Sequence, residues 1–264
     1  MPLTLFQKEI LLLLKENRNP NSYIAGGIAI HREASSMRTS NDIDLFHDTD
    51  EALSSSVNED LSCLESAGFL IQVVLDQPSF CRAIISKEEQ SVKLEWVRDT
   101  AFRFFPVVED DELGYRLHDV DLMVNKCLAL ANRIEVRDIV DLIQQNKEVL
   151  SLEAACWAAC GKDPGFTPDL LFDLMKRNSL IDPHQLQAEA LRSPIDPVEL
   201  KKEWLTLMGD AEKKIHKFPG EELGCIYLDE EGAVVKSPAD GALDSYARHY
   251  GSVGGAWPHI VTER

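Results

Sequence analysis

The chain lacks a membrane span: the apolar run near its start, Leu11 to Leu14, is far shorter than the ~20 residues a spanning helix needs. It also lacks the basic segment and small-residue cleavage site of a signal peptide. The run therefore reads as one face of an amphipathic helix in a soluble, cytoplasmic protein. Paired C-x-x-C spacing is missing as well. The six cysteines, Cys63, Cys81, Cys127, Cys156, Cys160 and Cys225, lie scattered in apolar surroundings, which excludes a disulfide framework and points to reduced, buried thiols. Only Cys156 and Cys160 share helical i, i+4 spacing, and no nearby His or Cys offers the further ligands a zinc site requires. Basic residues are scarce: 27 Lys and Arg against 45 Asp and Glu leave a net charge of -18. Non-specific affinity for a polyanion comes from Lys and Arg neutralising phosphates, so a broad nucleic-acid-binding face is excluded. A nucleic acid would have to dock on a local patch. Lys201-Lys202 and Lys213-Lys214 with His216 and Lys217, near the two ends of one predicted helix, are the candidates; a solvated helix face is the plainer reading. There is no internal repeat or low-complexity segment. With 264 residues and 44% hydrophobic content, the chain is long and apolar enough for a substantial core, which excludes large-scale disorder.

What is present is concentrated early. Gly26-Gly27 follows the apolar run Tyr23, Ile24, Ala25 and precedes a helix-like segment from Ile28 to Glu33. After fourteen intervening residues comes Asp42-Ile43-Asp44-Leu45-Phe46, with Arg38 and Ser40 just before. Alternate residues of a strand face the same way, so Asp42 and Asp44 share one face, while Ile43, Leu45 and Phe46 are expected to serve the packing of the sheet. Two carboxylates roughly 6 to 7 Å apart along a strand can converge on Mg²⁺, a hard ion that takes oxygen ligands and keeps substrate phosphates in its shell. At the strand-to-helix junction, glycines without Cβ let a triphosphate approach backbone N–H groups closely. Alone, the Gly-Gly pair reads as a turn and the Asp-x-Asp as a solvated strand edge; their combination reads as a site.

The surrounding pattern predicts an α/β chain of the α+β kind. A first helix, the Tyr23 to Ala25 strand and the Asp42 to His47 strand are followed by a helix from an Asp50 N-cap to Ala67, closed by Gly68. Phe69 to Leu75, Phe80 to Ile85, Val92 to Val97 and Phe102 to Val108 read as strands, giving a mixed sheet of about five strands. From His118 the chain turns helical, with Val120 to Arg133 and Val136 to Leu150 showing three- and four-residue apolar spacing. Asp182-Pro183 and Asp196-Pro197 mark two later helix starts. Cys225 to Leu228 and Ala233 to Val235, around Asp229 to Gly232, predict a hairpin followed by an irregular tail.

Two further groups extend the site. In Val92 to Val97, Leu94 and Trp96 face the core and Lys93 and Glu95 the opposite side. Glu95 suits either a second metal or the proton of an attacking hydroxyl, or is simply an exposed strand residue. On the next helices, Lys126 and Arg133 lie seven apart and so on one face. Arg137 and Asp141 are i, i+4 neighbours, and Asp138 and Asp141 are i, i+3. A Lys on an apolar helix needs an anion: a nucleotide phosphate, or equally Asp138 or Asp141.

The run Ala25 to Ile30 through Arg38 to Phe46 resembles the first motif of the AbiEii/AbiGii-type toxin nucleotidyltransferases, within the polymerase-beta-like nucleotidyltransferase superfamily. Lys93 to Val97 resembles that family's strand motif, and Leu122 to Ala129 with Lys126, then Arg133 and Arg137-Asp138-x-x-Asp141, its helical motifs. The likeness covers roughly residues 20 to 145. Gly-Gly stands where Gly-Ser is more typical, and Glu95 where Asp is common. The resemblance implies Mg²⁺-dependent transfer of a nucleoside monophosphate from an NTP to an acceptor, RNA or tRNA, in a toxin-antitoxin or abortive-infection-like setting with an antitoxin as partner. It implies metal ligation by Asp42, Asp44 and Glu95, and catalytic roles for these three with Lys126 and Asp138. Nucleotide contacts would come from Gly26, Gly27, Arg38, Ser40, Lys93, Lys126, Arg133, Arg137 and Asp141. It further implies a nucleotidyltransferase core over residues 1–115, a helical domain over 116–216 and a small extension over 217–264. A protein acceptor, or a catalytically degenerate fold acting as an interaction module, are the competing readings.

Overall fold

The computed structural model describes residues 3–33 and 35–258. Contacts divide the chain into two compact units, one formed by the residues up to Ala101 with Pro106–His118, the other by Phe102–Phe105 with the residues from Asp119 on. Among the described residues no helix is long and apolar enough to cross a membrane.

The first unit begins with α1 (Leu5–Leu14), started by a capping box in which Thr4 and Gln7 exchange hydrogen bonds of 3.0 and 2.9 Å. Its Phe6, Ile10, Leu11 and Leu14 recur at helical spacing and are buried. β1 (Ser22–Ala25), α2 (Gly26–Ile30), β2 (Asp42–His47) and α3 (Asp50–Ser66) follow, then the meander β3 (Leu70–Gln77), β4 (Phe80–Lys87) and β5 (Gln90–Arg98). β6 (Phe102–Arg103) belongs to the other unit, and β7 (Val108–Asp110) and β8 (Gly114–Arg116) complete this one. One mixed seven-stranded sheet results, in the order β3-β4-β5-β2-β1-β8-β7. β2 runs parallel to β5 and antiparallel to β1. Its buried side carries Ile43, Leu45, Leu94 and Trp96, on which α1 and α3 pack.

The sheet exceeds the five expected strands because β7 and β8 are three residues each, too short for an alternating pattern to show. Phe102 to Val108 is not one strand. Its middle is diverted: the backbone N–H groups of Phe104 and Phe105 donate to the buried Asp121 carboxylate at 2.8 and 3.1 Å. Thr49, not Asp50, caps α3, since its hydroxyl accepts from the Ala52 N–H at 3.1 Å.

The second unit is mainly helical: α4 (Asp119–Asn132), α5 (Val136–Glu148), α6 (Leu152–Lys162), α7 (Pro168–Asn178), α8 (Pro183–Ala188) and α9 (Pro197–Ile215). Asp182 and Asp196 cap α8 and α9 ahead of their prolines, as expected. Residues Leu152 to Cys160 of α6 are all buried, Cys156 and Cys160 among them. Burial pushes both thiols up, that of Cys160 to about 12, and none of the six cysteines is in a disulfide. The hairpin expected over 225–235 forms as a short one: Leu228 bridges Val234, the Val235 N–H donates to the Tyr227 carbonyl at 2.8 Å and the Asp229 N–H to the Ala233 carbonyl at 2.9 Å. β9 (Cys225–Leu228) pairs antiparallel with β10 (Ala247–Tyr250), and β11 (Ser252–Val253) with β6. Asp229 curls the turn of that hairpin by accepting from the N–H groups of Glu231 and Ala233 at 3.1 and 2.8 Å.

Candidate functional site

β2 sets out the first half of the site. Its residues alternate between half-buried and buried, so Asp42, Asp44 and Phe46 share the face away from α1 and α3, whereas Ile43, Leu45 and His47 point into the core. Phe46 thus stands beside the carboxylates instead of in the packing, and His47 takes the core position. Asp44 pairs with Ala25 on one side and Glu95 on the other, and Asp42 pairs with Lys93.

The glycine pair is built against these residues. Gly26 has φ +63, and a Cβ there would lie 2.1 Å from Asp44 Oδ2. Only glycine takes this backbone without strain and leaves that carboxylate its place. A Cβ on Gly27 would lie 2.7 Å from Ser40 Oγ and 3.2 Å from Arg38 Nη2. Ser40 donates to the Asp42 carbonyl at 3.1 Å, and Gln7 holds the Ser40 carbonyl at 2.7 Å. Arg38 is buried and donates to the Thr39 carbonyl. Ser40 and Arg38 therefore support the turn from within.

Charge on this face is closely matched. Lys93 Nζ lies 3.0 Å from Asp42 Oδ2 and 3.1 Å from Glu95 Oε1. Arg82, directly across from Glu95 on β4, reaches the same Glu95 oxygen at 2.7 Å. Burial opposes the charge on Lys93, yet its hydrogen bonds to Asp42 and Glu95 prevail and raise its pKa. Burial would raise Glu95 too, but Lys93 and Arg82 hold it below its usual range. Among the described residues no group of three or more His, Cys, Asp and Glu side chains is arranged to hold a metal ion. Asp42 and Asp44 nevertheless fit Mg²⁺ as a pair, since that ion binds through one or two carboxylates with phosphates and water completing its shell. Glu95 stands beside Asp44 in the β2–β5 register and on the same face, where it also anchors two cations.

In the second unit, α4 and α5 form their own cluster. Lys126 Nζ stands 2.7 Å from both Asp138 and Asp141, whose side chains are completely buried. Arg133 forks onto Asp138 at 2.8 and 3.0 Å. Burial pushes the Asp138 carboxyl up, but Lys126 and Arg133 outweigh it and lower its pKa. Of the two anions the spacing allowed for Lys126, the internal one is formed. Arg137 lies 3.7 Å from Glu135.

Two features escaped the sequence reading. Arg82 carried no motif, and its role follows from cross-strand register alone. Behind β2, Arg18 pairs with Asp60 at 2.5 Å inside the core. Ser56 and Trp96 donate to the same carboxylate at 3.2 and 2.8 Å, and Ser22 joins Arg18 to His47 at 2.9 and 3.1 Å. Burial, then Arg18, lowers His47 to about 4. The alternation that puts His47 in phase with Ile43 and Leu45 was the signal available.

Three solved structures share this architecture. JHP933 from Helicobacter pylori aligns with TM-score 0.51 at 21% identity, over 80% of this chain and 92% of its own. A second H. pylori structure, of a chain proposed to be a nucleotidyltransferase, aligns with TM-score 0.52 at 21% identity, over 81% and 98%. MenT4, a nucleotidyltransferase toxin from Mycobacterium tuberculosis, aligns with TM-score 0.54 at 14% identity, over 82% and 83%. The fold is that of a nucleotidyltransferase. The resemblance noted in the sequence holds at the level of that fold, and the mixed α/β architecture expected for it is observed. No protein-family model matches the sequence, and no curated protein matches it.

Proposed function

We propose that the chain is a Mg²⁺-dependent nucleotidyltransferase that moves a nucleoside monophosphate from an NTP to an acceptor hydroxyl, with pyrophosphate leaving. One observation carries this reading: Asp42 and Asp44 stand on one strand face, and Gly26 gives Asp44 its place. Mg²⁺ on that pair would neutralise the phosphates. The chain's own part is to position and to balance charge. The bare Gly26-Gly27 backbone admits phosphate beside Asp44. Lys93 and Arg82 bring positive charge to the face where charge builds on the leaving pyrophosphate. Glu95 pairs with both of these cations and orients them. In the second unit, Lys126, Arg133, Asp138 and Asp141 hold α4 to α5.

RNA, tRNA above all, is the acceptor we favour, in a toxin-antitoxin or abortive-infection-like setting within the cytoplasm. The family resemblance and the toxin among the fold neighbours support this. Labelled NTPs with Mg²⁺ and total RNA test the proposal: label should enter RNA and disappear with Asp44→Asn. Label entering protein would name a different acceptor. No transfer to RNA or to lysate protein, together with no NTP binding, would sink the enzyme reading and leave an interaction module, for instance for an antitoxin.

A further inference from the structure

We propose that Lys93 is the resident counter-ion of the metal site, holding Asp42 in the absence of nucleotide and giving it up only when a divalent cation arrives with phosphates that accept the lysine ammonium. The proposal rests on the reading of Asp42 and Asp44 as metal ligands. Lys93 lies directly across from Asp42 in the parallel β2–β5 register, with Nζ 3.0 Å from Asp42 Oδ2. An ammonium at hydrogen-bond distance and a dication on the same carboxylate repel each other strongly, so the two occupancies compete. The exchange is open to Lys93 because its side chain is partly solvent-exposed and ends a flexible four-carbon stem.

Glu95 makes the exchange local. It holds Lys93 at 3.1 Å but also Arg82 at 2.7 Å, so the departure of Lys93 leaves no stranded carboxylate. Asp42, Asp44 and Glu95 share the face on which Lys93 and Arg82 make these ion pairs. A dication arriving with a polyphosphate brings oxygens that can take the lysine ammonium, whereas a bare dication brings none. The same ammonium that excludes the free metal then has phosphate oxygens to meet. The arrangement couples metal occupancy to nucleotide and protects the site from filling with metal alone.

Mn²⁺ titrated calorimetrically into nucleotide-free protein tests this, with Lys93→Met, Lys93→Gln and Lys93→Met/Asp42→Asn beside the wild type and thermal melts confirming that each folds. Loss of the competing charge should tighten Mn²⁺ binding by about tenfold or more in both single variants, and Asp42→Asn should cancel the gain. A non-hydrolysable NTP analogue should improve Mn²⁺ affinity more in the wild type than in Lys93→Met. Unchanged Mn²⁺ affinity in Lys93→Met and Lys93→Gln, with binding still lost on Asp42→Asn, overturns the counter-ion role and leaves the metal assignment standing. No Mn²⁺ binding by any variant, with or without the analogue, overturns the metal assignment and the proposal with it.

Discussion

Replacing Lys126 by Met keeps most of the side-chain volume and removes an ammonium 2.7 Å from both Asp138 and Asp141. Both carboxylates are completely buried, and Lys126 itself is 7% exposed. Removing one partner of a buried ion pair costs about 3–5 kcal/mol, because the charge left behind is uncompensated. Arg133 remains forked on Asp138, so the lower end applies, about 3 kcal/mol. Against a total stability of ~5–15 kcal/mol, that is a large fraction. Urea unfolding followed by circular dichroism at pH 7 measures it. Adding Asp141→Asn to Lys126→Met should recover part of the loss, since it removes a stranded charge. A loss below about 1 kcal/mol accompanied by abolished NTP binding would refute the reasoning: the Lys126 charge would then serve phosphate and not the helix pair.

His47 titrates at about 4 in the folded chain against 6.5 ordinarily. Its contribution is complete above pH 6.5 and lost as pH falls through 4, by up to about 3 kcal/mol. Asp121 runs the other way, since burial above all raises it to about 6, so its contribution is lost as pH rises; His47→Gln isolates the histidine because the Asp121 part cancels between variant and wild type. Equal pH slopes of unfolding for the two proteins would exclude His47. Gly26→Ala should cost about 2 kcal/mol from its left-handed backbone and, by displacing Asp44, weaken Mn²⁺ binding as far as Asp44→Asn does; full Mn²⁺ affinity in Gly26→Ala would show that the close approach does not matter. Asp60→Asn leaves Arg18 buried without its carboxylate and should destabilise by about 3 kcal/mol. It should also shift the fluorescence of Trp96, whose indole donates to Asp60; an unmoved spectrum with native stability would contradict the network.

Much of the fold was legible because its signals are local. Asp42 and Asp44 face one way since side chains alternate along any strand, and Asp182 and Asp196 announce helix starts because a capping oxygen and an N1 proline act within three residues. The meander from Leu70 to Arg98 was visible for the same reason, down to its polar turns. Local pattern failed where a distant group intervened. Asp121 captures the N–H groups of Phe104 and Phe105, and no feature of Phe102 to Val108 announces that. β9 makes its expected short hairpin with Val234 and Val235 but also takes a second partner, β10, nearly twenty residues further on, which nothing in its own pattern announces.

Which residues could carry chemistry was thus written in residue types and spacing: the acidic pair, the glycines before it, a lysine among apolar helix positions. Which of them meet was settled by register and packing, through contacts between segments far apart in the chain. The parallel pairing of β2 with β5 sets Lys93 against Asp42, and the antiparallel pairing of β4 with β5 gives Glu95 to Arg82. The crossing of α4 and α5 gives Lys126 two carboxylates instead of one. Charge partners form wherever the fold brings opposite charges within a few ångströms, and spacing along one segment cannot specify what another segment will present there.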